Sequence, residues 1–409
     1  MSPPVSPEVR PALPRWPVHP LPQPLESLDS WVQRLARAYS MPVRDLMEHN
    51  LGGRDAPVYR SLYWDPPAEL LAALADRTGV SVARLRIMTL AGWVPWLFDN
   101  LGALPPGRHA EAFENYVRAN SVLLAPGEAG SPDLEYPRGW TGPWYGGAHA
   151  HRACPVCALD PDRGTALVWQ LPLVMGCGEH GCRLVDKKEI AVALSRGRSI
   201  SPTAIGEPLA TLDRYTYTAL ATGRVELPGR SVHAGVWFRL LRSLVDEVSL
   251  STRAMSASSR HTLGQVWATA GLPARAGIYR WAPYESLNWE TQQAMLLAAA
   301  TALRLAEQGK IVPRGRLGSA VAPGPRRHVF DGHHIDVAPV WQQALSVLVE
   351  QVLARACADR ETAEGLLTLV TRHLETRDEF EEARACLFGA GVPAAFLPTA
   401  GDLGRIDLA

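Results

Sequence analysis

The sequence has no excess of charge of either sign. Lysine plus arginine number 41 over 409 residues, and aspartate plus glutamate also number 41. A protein that coats nucleic acid without selectivity is usually strongly basic, so any DNA contact here is expected through a local patch or through partners. Nearly all the basic residues are arginine, whose planar fork suits phosphate and carboxylate. Long hydrophobic runs are absent as well. No stretch reaches the roughly 18–20 apolar residues of a membrane-spanning helix. The most apolar segment, residues 294–305, is short and followed by Glu307. Residues 1–24 are polar and proline-rich and lack the apolar centre of a secretion signal. A cytoplasmic, reduced protein without a membrane span is the expectation. Catalytic signatures are missing too. There is no Gly-x4-Gly-Lys-[Ser/Thr] phosphate loop, no Gly-x-Ser-x-Gly elbow and no His-Glu-x-x-His. Acidic residues are spread too evenly to single out a nuclease-like carboxylate trio. The chain reads as non-enzymatic.

Cysteine is sparse, with six in all, and four of them fall in one short window. Cys154 and Cys157 have two residues between them, and Cys177 and His180 repeat that spacing. Such a turn places two donors on one side of a tight loop, and a second turn supplies the rest of a tetrahedron. A disulfide pair would need an oxidising compartment. A thioredoxin-like motif would need a βαβ setting and no second pair. One structural zinc ion per chain, held by Cys154, Cys157, Cys177 and His180, accounts for both pairs. Four protein ligands fill the ion, so a catalytic role is not expected. Alternatives stay open: Cys182 could replace His180, and His149 or His151 could replace either. Matched spacing favours His180, which leaves Cys182 a spare thiol. Between the pairs, residues 160–164 read as a turn, and residues 165–171 have the β-branched and aromatic content of a strand. The whole reads as a small β zinc ribbon.

The same window carries a resemblance. Cys154-Pro155-Val156-Cys157, then Trp169-Gln170-Leu171-Pro172-Leu173, then Cys177-Gly178-Glu179-His180-Gly181-Cys182-Arg183-Leu184, is similar to the TniQ family of transposition proteins. Glu26-Ser27-Leu28-Asp29-Ser30-Trp31-Val32-Gln33-Arg34-Leu35-Ala36 resembles that family's N-terminal block. The likeness covers roughly residues 20–190. Many members carry a second Cys-x2-Cys soon after the His-Gly block; here the next cysteine after Cys182 is Cys357, so a single site is expected. The resemblance implies an accessory protein in target-site selection that works beside an AAA+ ATPase and a DDE transposase, often as a dimer. The alternative is a stand-alone DNA-binding regulator with the same zinc ribbon and helix-turn-helix units.

The rest of the chain predicts a mainly α protein. The expected parts are a proline-rich arm (1–24), a helix-turn-helix-like domain (25–148), the zinc ribbon (149–190), a helical domain (191–312), a linker (313–327) and a C-terminal helical region (328–409). Ser27 is a plausible N-cap for a stripe of Leu28, Trp31, Val32, Leu35, Ala36 and Tyr39. Residues 43–49 form a short second helix. A second pair follows, with Leu70, Leu71 and Leu74 on one helix and Gly79 at its end. Ser81 then caps a helix that turns Val82, Leu85 and Met88 inward. Arg77, Arg84 and Arg86 surround that turn and are the candidate DNA-phosphate contacts. Helices are also expected over 111–124, 187–194, 209–220, 237–248, 290–307 and 337–388. Trp140 and Trp144 should pack a loop on the zinc ribbon. Cys357 and Cys386 read as buried thiols. Arg314, Arg316, Arg326 and Arg327 read as a solvated loop, with phosphate contact as the sharper alternative. His333 and His334 read as a surface turn.

Overall fold

The structure is a computed structural model. It describes residues 14–51, 62–93, 97, 113, 121–125, 128, 142–144, 151–160, 162–253, 255–323, 340–372, 374 and 376–402, with only the backbone over 340–348. The described chain is mainly helical, with thirteen α-helices and four very short strands. It divides into two compact units, Met1–Trp93 with Cys157–Val168, and Val94–Val156 with Trp169–Ala409. No described helix is long and apolar enough to cross a membrane.

The first unit is two helix pairs on one apolar core. Helix α1 (Leu28–Ala38) starts where Ser27 accepts a hydrogen bond from the Ser30 N–H, and α2 (Val43–Asn50) follows Pro42. Helix α3 (Ala68–Thr78) ends at Gly79 with φ 73°, a left-handed cap that glycine adopts without steric cost. Ser81 caps α4 (Val82–Ile87) through the Arg84 N–H. Leu28, Trp31, Val32 and Leu35 meet Leu70, Leu71, Leu74, Leu85 and Met88 in the core, with Tyr39 half-buried at its edge. The arm over 14–24 lies along this core: Trp16 is buried and donates its N–H to the Arg77 carbonyl at 2.7 Å, and the Trp31 indole donates to the Pro20 carbonyl at 2.7 Å.

One inward assignment is corrected. Val82 is 43% exposed, while Leu85 and Met88 are buried. A spacing of three residues turns 300°, so a run at 82, 85 and 88 drifts about 60° per step and one end leaves the core face. The strand expected over 165–171 is also corrected. Ala166 makes a single bridge with Glu26, and Leu167–Gln170 is a 3-10 turn. Branched and aromatic residues suit a strand only where a ladder partner runs alongside them, and here the pairing stops at one residue.

The second unit begins its regular structure with β1 (Arg152–Ala153), which pairs antiparallel with β2 (Val185–Asp186). Helices α5 (Lys187–Ser195) and α6 (Leu209–Thr222) follow. A hairpin of β3 (Arg224–Glu226) and β4 (Ser231–His233) leads into α7 (Ala234–Ser249), whose sixteen residues are all buried. Helix α9 (Trp289–Glu307) packs against α7 and against α8 (Ala257–Ala270), whose Trp267 indole donates to the Val248 carbonyl of α7 at 2.9 Å. The chain continues through α10 (Gly318–Val321), α11 (Val340–Ala358), α12 (Arg360–Thr371) and α13 (Arg377–Gly389).

Several expectations change here. The 313–327 stretch is built in as far as it is described. The Arg314, Gly315 and Leu317 N–H groups donate to the carbonyls of Leu123, Val122 and Ser121, and Arg316 pairs with Glu382 at 3.1 Å. Residues 121–124 are not helical; apart from Phe113, the rest of the helix expected there lies outside the described residues. Cys357 is buried, but Cys386 is exposed. Phe380, Arg384 and Phe388 turn inward on α13 at a spacing of four, which carries Cys386 to the opposite side. Trp144 is buried edge-on against Tyr284, at 5.8 Å between ring centroids, and the Tyr284 hydroxyl donates to the Pro172 carbonyl in the ribbon. Trp140, His149, Arg326, Arg327, His333 and His334 lie outside the described residues.

Candidate metal centre

The two expected knuckles come together. One ligand atom from each of Cys154, Cys157, Cys177 and His180 lies within 4.8 Å of the others, with the cysteines buried and the histidine exposed. Cys154 Sγ is 3.6 Å and Cys177 Sγ is 3.5 Å from His180 Nδ1. Sulfur at ~2.3 Å and nitrogen at ~2.0 Å from a tetrahedral zinc ion stand about 3.5 Å apart, so His180 already stands at ligand spacing from both cysteines. The Cys177 thiol is held well above its ordinary pKa, first by its hydrogen bond with Cys154 and then by burial. Clustered thiols keep their protons until a cation displaces them, so metal binding here releases protons. His151 is exposed and does not join the group. Cys182 is buried with Sγ 3.4 Å from Cys154 Sγ.

The second knuckle is a short backbone loop. The Cys177 N–H donates to the Cys182 carbonyl at 2.8 Å, the Gly181 N–H donates to the Cys177 carbonyl at 2.9 Å, and Gly181 has φ 59°. Only a residue free of a Cβ takes that turn without strain.

Three side chains that the spacing did not single out hold the knuckle's approach. Asp213, buried on α6, accepts the Met175 N–H at 3.1 Å and the Gly176 N–H at 2.7 Å. Burial raises its pKa to about 7 against the pull of those two donors and of Arg152. One turn along α6, Tyr217 donates to the Gly176 carbonyl at 2.6 Å and accepts from the Trp169 indole at 2.7 Å. Arg152, two residues before Cys154, donates to the carbonyls of Val174 and Leu171 and lies 3.9 Å over the Trp289 ring. These groups fix the backbone on which the ligands sit, as outer-shell partners of metal sites do. The visible signal was a charge in an apolar stripe: Asp213 shares its face with Leu212, Thr216 and Leu220.

The proposed phosphate contacts are spread over different surroundings. Arg77 donates to the Pro14 carbonyl at 2.9 Å and lies 6.0 Å from the Trp16 ring centre. Arg84 is half-buried and donates to the Gln23 carbonyl at 3.3 Å, whereas Arg86 is exposed.

Three cysteines and one histidine on two tight turns form a cluster that could hold a metal ion. The TniQ family model matches residues 17–184, from the arm beside Trp16 to the end of the second knuckle. The match covers residues 17–184 of the 409, so the chain carries a TniQ-like domain over that part of its length. No curated protein and no solved structure matches it.

Proposed function

We propose that this chain is a non-catalytic adaptor that brings an AAA+ regulator and a DDE transposase to target DNA, with one structural zinc ion in its Cys154, Cys157, Cys177 and His180 centre. The observation that carries this reading is a TniQ domain ending in a donor set of zinc dimensions. A net charge of zero suits a protein that meets proteins as well as DNA. The reading places the protein in the cytoplasm, where its DNA and partners are.

The DNA contact belongs to the same proposal. Arg86 faces solvent from α4, while Arg77 and Arg84 tie down the arm beside it. Arg86 then carries the direct phosphate contact, and the other two support the surface from which it reaches.

The test is reconstitution with an AAA+ ATPase and a DDE transposase from the same host. Co-elution with the ATPase and DNA-dependent recruitment of the transposase are expected, with no ATP hydrolysis or strand cleavage by the chain alone. Failure to bind either protein, together with sequence-selective DNA binding by the isolated chain, would favour a stand-alone regulator instead.

A further inference from the structure

His180 and Cys182 stand on either side of Gly181, and both reach Cys154. Cys154 Sγ has His180 Nδ1 at 3.6 Å and Cys182 Sγ at 3.4 Å. The two donors differ in how they are held. Cys182 is buried, its carbonyl accepts the Cys177 N–H, and its backbone pairs with Ala204. It is part of the framework of the knuckle. His180 is exposed, and the neighbouring Gly181 has open space where a side chain would stand. An exposed imidazole has solvent beside it in which to move, which a buried thiol does not.

We propose that the knuckle pair is a five-donor site, in which Cys182 takes the fourth position whenever His180 leaves it. A centre of three cysteines and one histidine thereby becomes an all-cysteine centre on the same backbone. The exchange rests on the reading of this cluster as a metal site. The bond between the metal and His180 Nδ1 breaks, a bond to Cys182 Sγ forms, and the thiol proton passes to water. Tetrahedral thiolate sulfurs stand about 3.8 Å apart around zinc, so Cys182 reaches ligand distance from Cys154 by a small side-chain rotation. The ions it serves are divalent and thiophilic, since a fourth thiolate favours soft cations.

Cobalt(II) on the full chain tests this, because its visible spectrum reports how many thiolates bind. The parent and Cys182→Ser should each bind one cobalt with the same spectrum of three thiolates and one imidazole. His180→Ala should still bind one cobalt, within about tenfold of the parent's affinity, with a stronger sulfur-to-metal charge-transfer band. The double variant should lose more than about 100-fold, beyond what outer-shell changes cause. A His180→Ala chain that binds as weakly as the double variant overturns the exchange. So does a His180→Ala chain that fails to fold, since Cys182 would then not have closed the site. Metal loss in Cys182→Ser makes Cys182 the resident ligand and overturns it too. A parent that binds no cobalt sinks the metal reading itself, a separate outcome from these three.

Discussion

The two units are stabilised in different ways. Among the described residues of the first unit, Glu26 is the one charged side chain that is fully buried, and it pairs with Arg34 at 2.7 Å. Among its described residues the second unit buries eight. Arg242 on α7 is fully enclosed, donates to both Glu285 carboxylate oxygens at 2.8 and 3.0 Å, and contacts Asp246 one turn on. Glu285 also accepts the Trp144 N–H at 2.7 Å. Glu247 accepts the N–H groups of Val122, Leu123 and Leu124. Asp213 does the same for the approach to the second knuckle. The first unit places helices by hydrocarbon contact. The second uses buried carboxylates to pin irregular backbone that has no ladder or helix of its own to satisfy it.

Breaking the metal centre should have the largest effect of all. Cys154→Ser with Cys177→Ser, which leaves too few donors even with Cys182, is expected to lose the ion and unfold the knuckles, because metal binding supplies folding free energy on the order of 10 kcal/mol in small zinc modules. Metal analysis and proteolysis between residues 150 and 205 read it. Retained metal and an uncut ribbon would mean that the cluster is not the site.

The buried triad comes next. Glu285→Ala strands Arg242 without its bidentate partner and is expected to cost about 3–5 kcal/mol. Replacing Arg242, Asp246 and Glu285 together by apolar residues should cost much less, since desolvation is then no longer opposed by broken pairing. Urea denaturation compares the two. Equal losses would mean that the triad does not act as one unit.

Glu247 supplies a pH dependence of definite sign. Burial raises its carboxyl to about 7, against three N–H donors and with Asp246 adding to the rise. The folded state therefore holds its proton more tightly than the unfolded chain, whose carboxyl titrates near 4.5. The stability this provides is complete below about pH 4.5 and is lost as the pH rises to about 7. Its size is on the order of 3 kcal/mol. Glu247→Gln cannot ionise, so its stability relative to the parent should improve by a comparable amount between about pH 5 and 8. The paired comparison cancels the opposite trend from the metal centre, where rising pH favours binding. A constant difference across that range would show that the three N–H donors outweigh burial.

The smallest stability effect belongs to the surface of α4. Arg84→Ala with Arg86→Ala should change stability by less than about 1 kcal/mol. The salt slope of duplex binding should flatten by roughly 1 unit, for the one phosphate contact of Arg86. An unchanged slope, read by fluorescence anisotropy at several salt concentrations, removes this helix as a DNA contact.

The first unit's helices and both knuckles were legible in the sequence for a common reason: local spacing determined them. Apolar residues at i, i+3 and i+4 select a helix face, Ser27, Ser81 and Gly79 mark its ends, and paired donors with two residues between them suit a tetrahedral ion. The TniQ likeness rested on the same local blocks, and its domain spans residues 17–184. Tertiary structure alone decided the rest. A charge such as Arg242, Asp246 or Glu247 reads locally as surface, because its partner arrives from far along the chain. Residues 165–171 read as a strand until no neighbour comes to pair with them, and Val82 reads as core until the helix twist carries it out. Cys182 is a spare thiol by spacing. Only the folded knuckle brings it to 3.4 Å from Cys154, because that distance depends on the turn at Gly181 and on the pairing of Cys182 with Ala204, not on the order of residues.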